Sequence, residues 1–380
     1  MKPIFFAILT LAAATLANAQ CSPSFLGLYD TPHQAQDVVV DGMTAFVADR
    51  DGGLQIIDVS NPSSPAFLGS IPAPAFHAMT GVAVNGSIAY VSSRGVESLH
   101  IIDVSNPTNP TTLSDFELSD QGASSVAVSG STAYVANGLR GIQIVDVSNP
   151  ANPNLLGTYD TVSPNFNALD VVSSGTTVYA TDISLGLFII DASNPASPTL
   201  FDAIAIPGNA FSVWSDGTTA YVTGLSGGLT IVDVSNPNSV SILSTVSITG
   251  VANGISVSGT TAFVTHSGGG MQVLDVSNPA SPVVIGDYTP LTAPTRMTVE
   301  NGNAYIADFT SGLQILDVGS CVSNPCVPDF TGDGVLDFFD VSDFLDAFSA
   351  HDPIADLTND GIFDFFDVAA FLDAFSAGCP

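Results

Sequence analysis

The chain has 380 residues, 46% of them hydrophobic, with 36 acidic residues against five basic ones and a formal charge of −31. This balance excludes nucleic acid and anionic lipid as expected partners, because no basic patch offsets the repulsion. High apolar content beside that charge is not the signature of disorder and points to a soluble folded protein.

Residues 1–19 read as an export signal. Met1 and Lys2 precede an apolar run from Ile4 to Leu16, and Ala17-Asn18-Ala19 supplies a small-x-small cleavage site before Gln20. The run is too short to span a membrane, so the protein is expected to be secreted or held at the cell surface, and not transmembrane. Loss of Lys2 takes the charge from −31 to −32 and leaves Arg50, Arg94, Arg140 and Arg296 as the only basic residues besides histidine.

Residues 20–320 are a repeat. Ile-Ile-Asp-Val-Ser-Asn-Pro at 56–62 returns at 101–107, 144–150, 189–195, 231–237 and 273–279, with a truncated copy ending at Ser320. The aspartates Asp58, Asp103, Asp146, Asp191, Asp233, Asp275 and Asp317 are spaced by 45, 43, 45, 42, 42 and 42 residues. Each unit contains four short alternating, β-branched segments punctuated by Gly, Asn and Pro, such as Ser125–Ser129, Thr132–Ala136, Gly141–Val147 and Asn154–Tyr159. Four strands per blade-sized period define an all-β fold, a seven-bladed β-propeller. The seventh unit lacks its fourth strand. Ser22-Pro23-Ser24-Phe25-Leu26-Gly27 matches Ser64-Pro65-Ala66-Phe67-Leu68-Gly69, so the N-terminal strand is expected to complete the last blade and close the ring.

The cysteines follow from the same alignment. Cys321 falls at the position of Pro62 and Cys21 at that of Ser63, so a Cys21–Cys321 disulfide would replace the missing peptide connection. Cys326 and Cys379 bracket the C-terminal segment and are expected to pair with each other, one of three possible connectivities. The recurring motif resembles the LVIVD-repeat family of bacterial and archaeal surface proteins over roughly residues 22–320. That resemblance implies a propeller on an exported protein and no particular chemistry.

A residue repeated in every blade is structural, and the seven aspartates are expected to accept backbone hydrogen bonds in the Ser-Asn-Pro turn. Function belongs where repeats differ. After the second strand of each unit stand Asp49, Ser93, Asn137, Asp182, Gly224, His266 and Asp308, with His33 and His77 in the preceding loops of neighbouring blades and Arg50, Arg94 and Arg140 in or beside the hairpins. A face made of these could hold a polar ligand, a glycan, a metal or a protein over the channel. The plainer reading is ordinary polar loop variation. Trp214 reads as core.

Beyond a linker at 321–328 the composition changes: twelve aspartates, dense phenylalanine and no Lys or Arg up to Pro380. Two copies of one pattern stand here. The first offers Asp329, Thr331, Asp333, Val335, Asp337 and Asp340, the second Asp356, Thr358, Asp360, Ile362, Asp364 and Asp367. Oxygen donors at positions 1, 3, 5, 7, 9 and 12 with glycine at 6 are what wrapping a chain around calcium requires, so two calcium ions are expected. Each loop runs into a helix, Val341–Phe348 and Val368–Phe375, with Phe344, Leu345, Phe348 and Phe371, Leu372, Phe375 expected on the apolar face.

The duplicated loop-helix unit over 329–380 resembles a dockerin, with Asp in place of the EF-hand's last Glu. It departs from that family at Thr331 and Thr358, where Asn is usual. The resemblance implies docking to a cohesin-like receptor or an envelope anchor, and Gly378-Cys379 is similar to the ending of dockerins used as C-terminal anchors. Three readings fit the chain: a non-enzymatic surface scaffold; a polysaccharide-acting enzyme, a glycoside hydrolase or lyase, tethered through its dockerin; or a propeller whose C-terminal unit is only a calcium-stabilised cap with no partner. No motif of catalytic spacing favours the second.

Overall fold

The computed structural model describes residues 21–95, 98–118, 122–160, 167–322, 330, 338–350, 355, 357 and 363–377. The export signal, Cys326, Cys379 and the loop residues Asp329, Thr331, Asp333, Val335, Asp337, Asp356, Thr358, Asp360 and Ile362 lie outside them.

The first strand, β1 (Ser24–Tyr29), belongs to the end of the ring. Blade 1 then runs as β2 (Asp37–Asp41), β3 (Thr44–Ala48), β4 (Leu54–Asp58) and β5 (Ala66–Ile71), each antiparallel to the next. Blades 2 to 6 repeat this order over 78–117, 125–159, 168–204, 210–246 and 252–288. Blade 7 contributes Met297–Glu300, Asn303–Asp308 and Gly312–Asp317, and β1 adds the fourth strand against Gly312–Asp317. The N-terminal closing strand expected from the alignment is therefore formed. Closure leaves no unpaired edge where the chain's ends meet.

The repeat motif performs two tasks. Its aspartate caps the turn: Asp58 Oδ1 accepts the Ser60 N–H at 2.8 Å, and the next five aspartates accept the equivalent serine N–H at 2.9 to 3.0 Å. Asp317 does the same for Gly319 at 2.8 Å. Hydrogen bonding from the Ser60 hydroxyl, and then from its N–H, favours the ionised form and holds the Asp58 carboxyl below its usual range. The residues before the aspartate form the core. Ile56, Ile101, Ile144, Ile189, Ile231, Val273 and Ile315 are all fully buried. Seven apolar clusters result, one of them joining Tyr134, Ile142 and Ile144 of blade 3 to Val171, Val178 and Ile190 of blade 4.

The turn proline also sets the distance between blades. A Cβ on Gly69 of β5 would come within 2.4 Å of the Pro107 carbonyl oxygen in the next blade, and one on Gly27 of β1 within 2.2 Å of that of Pro62. The corresponding Gly286 of blade 6 instead faces Cys21, whose Sγ would lie 2.3 Å from such a Cβ. Cys21 and Cys321 share one buried cluster and interact with each other, filling the position the proline holds elsewhere. Their placement agrees with the alignment. The bond does not: both are free thiols in this structure.

Past the ring stand two helices, α1 (Phe338–Ala350) and α2 (Phe365–Ala377), each starting three residues earlier than its expected span. Phe344 and Phe371 stack with centroids 4.1 Å apart and planes 4° from parallel. Phe348 and Phe375 pack beside them. Leu345 and Leu372 do not: they are 49% and 52% exposed. One helical step of 100° turns them off the stripe that carries the phenylalanines.

Candidate functional site

The variable hairpin positions do not face solvent. Asp49, Ser93, Asn137, Asp182 and Asp308 are fully buried, and His266 is 1% exposed. The three carboxylates tie the loop entering each blade to its hairpin. Asp49 accepts from the Thr31 hydroxyl at 2.7 Å and the His33 N–H at 2.9 Å. Asp182 accepts from the N–H groups of Asn167, Ser184 and Leu185. Asp308 accepts from the Thr292 N–H at 2.8 Å, the Ala293 N–H and the Gln314 amide at 2.7 Å. Asn137 donates to Gln143 at 3.3 Å. A buried carboxylate holding several donors is satisfied, not poised. None of these residues lines the two channel cavities described below.

The histidines divide. His33 is exposed and borders a shallow depression of about 540 Å³ with Tyr29, Asp51, Gln55 and Phe67. Burial lowers the His266 pKa, and Asp287 at 3.8 Å is its nearest carboxylate. His77 belongs to a relay in blade 2. His100 Nδ1 lies 2.6 Å from Asp115, its Nε2 lies 3.0 Å from the Ser93 hydroxyl, and His77 Nδ1 lies 3.2 Å from that same oxygen. The order Asp-His-Ser matches a nucleophilic triad in connectivity. It differs in access, since Ser93 has no exposed surface while Asp115 is half exposed. His100 replaces the glutamine that blades 1, 3, 6 and 7 carry as Gln55, Gln143, Gln272 and Gln314. The relay is blade 2's version of the hairpin tie.

The non-repeating chemistry lies deeper. Register aligns the innermost strands so that Asp37, Gly81, Ser125, Asp170, Ser212, Gly254 and Arg296 occupy one ring, opposite the end of each second strand. Arg296 crosses the channel. Its Nη1 donates to Asp170 at 2.6 Å and to Ser125 at 3.2 Å and stands 4.0 Å from Asp37. Asp170 also accepts from the Ser212 hydroxyl at 2.6 Å and the Val213 N–H at 3.0 Å. Burial opposes charge on Arg296, but Asp170 and Asp37 outweigh it and raise the pKa. Burial also dominates at Asp37, whose carboxyl is pushed up to about 6 although Arg296 pulls it down. Only one aligned position near the start of the inner strands had to be compared to find this ring: D, G, S, D, S, G, R. It lies outside the residues singled out from the sequence.

Cavities flank Arg296. One of about 200 Å³ is lined by Asp37, Asp170, Ser212, Trp214 and Thr298. Trp214 thus borders the channel and is not wholly core. The other, about 120 Å³, lies toward the hairpins and is lined by Thr80, Arg94, Leu169, Phe211 and Arg296. Arg50, on the adjoining hairpin, donates from Nη1 to the Gln34 amide oxygen at 2.8 Å. Burial lowers the Arg94 pKa, and the neighbouring Arg296 and Arg50 add to that.

In the C-terminal unit the described candidate ligands are Asp340, Asp364 and Asp367. Asp340 and Asp367 are fully buried in the first turns of α1 and α2, 27 residues apart in the chain like Phe344 and Phe371. Asp367 Oδ2 accepts the Asp364 N–H at 3.0 Å, which caps α2. Two carboxylates buried at equivalent steps fit the last ligand of a calcium loop, where the chain turns into its helix.

Seven four-stranded sheets, closed by a strand from the opposite end of the chain around a polar-ringed channel, define a seven-bladed β-propeller. LVIVD repeats match residues 32–72, 78–117, 121–161, 167–204, 207–247, 249–290 and 296–333. The chain belongs to the LVIVD-repeat family. No protein of curated description matches it. Among solved structures it is similar to a chain of the Mitotic Checkpoint Complex, at 13% identity and a TM-score of 0.66, over 84% of this chain and 99% of that one. It is also similar to the Cps50 (Swd1) β-propeller domain of Myceliophteria thermophila, at 11% identity and a TM-score of 0.63, over 78% and 100%. The computationally designed Ika8 protein aligns at 7% identity and a TM-score of 0.57, over 78% and 100%. At such identities the likeness is one of fold.

Proposed function

We propose that this is an exported, non-enzymatic interaction scaffold whose propeller displays binding surfaces and whose C-terminal unit binds two calcium ions and docks the protein to a partner. The burial of the hairpin carboxylates in backbone ties carries the scaffold reading: those side chains hold loops in place and leave the faces rigid. The outer strands add a rim of exposed apolar residues at one repeat position, Phe25, Phe67, Leu155, Leu200, Ile242 and Val284. Apolar surface rimmed by polar residues suits protein contact.

For the C-terminal unit, the support is its internal repetition. Phe338 and Leu345 on α1, and Phe365 and Leu372 on α2, are exposed at matching positions, seven residues apart and so on one face of each helix. A cohesin-like receptor or envelope protein would take this duplicated apolar face. Calcium would neutralise carboxylates that otherwise repel, and a core of so few residues needs such a staple.

Calorimetric titration of the full chain with calcium tests the reading. Two sites are expected, falling to one in D340N and to one in D367N. No uptake at millimolar calcium, or uptake unchanged in both variants, refutes the site assignment. Among the described residues no helix is long and apolar enough to cross a membrane.

A further inference from the structure

A chain with five basic residues and a charge of −31 brings two of its arginines, Arg94 and Arg296, to one small cavity. Arg296 engages Asp170 and Ser125 through Nη1 alone, and its Nε and Nη2 groups have no hydrogen-bond partner among the described residues. Its side chain is only 17% exposed and lines both cavities. Arg94, an exposed residue across the 120 Å³ cavity, has neither a hydrogen bond nor a carboxylate within 4.0 Å among the described residues and is left to water. One cavity wall thus carries a largely buried guanidinium and an exposed one, both with donors unused among the described residues, which an anion can bridge.

We propose that Arg94 and Arg296 form a carboxylate-binding site at the hairpin-side mouth of the channel. The site deepens the scaffold reading by assigning a ligand class to the propeller, and it is independent of calcium docking. The planar fork of arginine matches a planar carboxylate. Leu169 and Phe211 offer apolar wall to a short stem behind the acid. Asp37 and Asp170 stand beyond Arg296, so a monoanion enters with less repulsion than a doubly charged sulfate. The acid could be a free small molecule or the uronate end of an acidic sugar, and both present the same group.

Calorimetric or NMR titration of the full chain with glucuronate, propionate, sulfate and glucose, at constant ionic strength, tests this. Saturable one-site binding is expected for glucuronate and propionate and none for glucose. Tighter binding of glucuronate assigns the sugar acid, and equal binding assigns the carboxylate alone. R94Q is expected to weaken both acids about tenfold or more, with R94K between, since lysine cannot offer the fork. An unchanged melting temperature in R94Q shows that the fold is intact. Absence of saturable binding by either acid, affinity unaltered in R94Q, or sulfate binding as tightly as propionate overturns the assignment. Each of these leaves the calcium titration untouched, so the two readings fail separately.

Discussion

Asp37 and Asp170 occupy equivalent ring positions, yet their surroundings differ. Asp170 sits 2.6 Å from both Arg296 and the Ser212 hydroxyl, whereas Asp37 stands 4.0 Å from Arg296 and is held by the Val82 N–H at 3.0 Å and the Val38 N–H at 2.9 Å. For Asp37 burial wins, and its carboxyl titrates near 6 instead of its ordinary 3.8. The folded state therefore binds this proton more tightly than the unfolded chain. Below pH 3.8 both states carry the proton and the group has no effect. Between about 4 and 6 stability falls as the pH rises, by about 3 kcal/mol at most, and stays lowered above that. Removing the charge with D37N should abolish this component. Urea melts of wild type and D37N from pH 4 to 7 should thus show a gap that changes up to pH 6 and then levels. A constant gap across the range counts against the assignment.

At the scale of elements, β1 determines whether the ring closes. It pairs with Gly312–Asp317 from Ser24 to Tyr29, with a bulge between Phe25 and Gly27. Its Gly27 lets the Pro62 carbonyl of blade 1 approach, and no side chain fits there. Replacement by valine should push blades 7 and 1 apart. A loss of about 1 to 3 kcal/mol is expected, the usual range for overpacking. Leu28, half-exposed on the same strand, is the control position for the denaturation midpoint. Equal effects of G27V and L28V would remove the close-approach argument. The closing strand itself was legible because Ser22–Gly27 copies Ser64–Gly69. The ring of Asp37, Asp170 and Arg296 was harder to see, because these residues lie in or beside strands that otherwise read as plain repeat.

For the whole molecule, closure joins the two ends of a propeller about 300 residues long at Cys21 and Cys321. The thiols are buried together, with the Cys21 N–H donating to the Ile285 carbonyl at 3.0 Å and the Thr261 hydroxyl to the Cys321 carbonyl at 2.9 Å. Burial pushes both thiols above their ordinary range, which keeps them protonated and slow to react with reagents in water. In an oxidising compartment we expect them to bond. Mass spectrometry of protein purified without reductant should then show a Cys21–Cys321 peptide. C21S should lower stability by up to about 5 kcal/mol relative to the oxidised protein, and to a far smaller degree relative to the reduced one. Free thiols after air oxidation would show that the pair only fills space.

The amino-acid pattern by itself determined the number of blades, their strand order, the closing strand and the capping role of the repeated aspartates. Those features depend on local periodicity and turn chemistry, which a single chain carries in its residue order. The two loop-helix copies were likewise visible as a repeat, and burial at Asp340 and Asp367 agrees with their alignment. Tertiary structure decided which polar residues line the channel. Asp49, Asp182 and Asp308 looked like a functional ring because they vary between blades, but each is turned inward to hold its own loop. Arg296 meets Asp170 across 126 residues of sequence, and only the curvature of seven blades around one axis brings them within 2.6 Å.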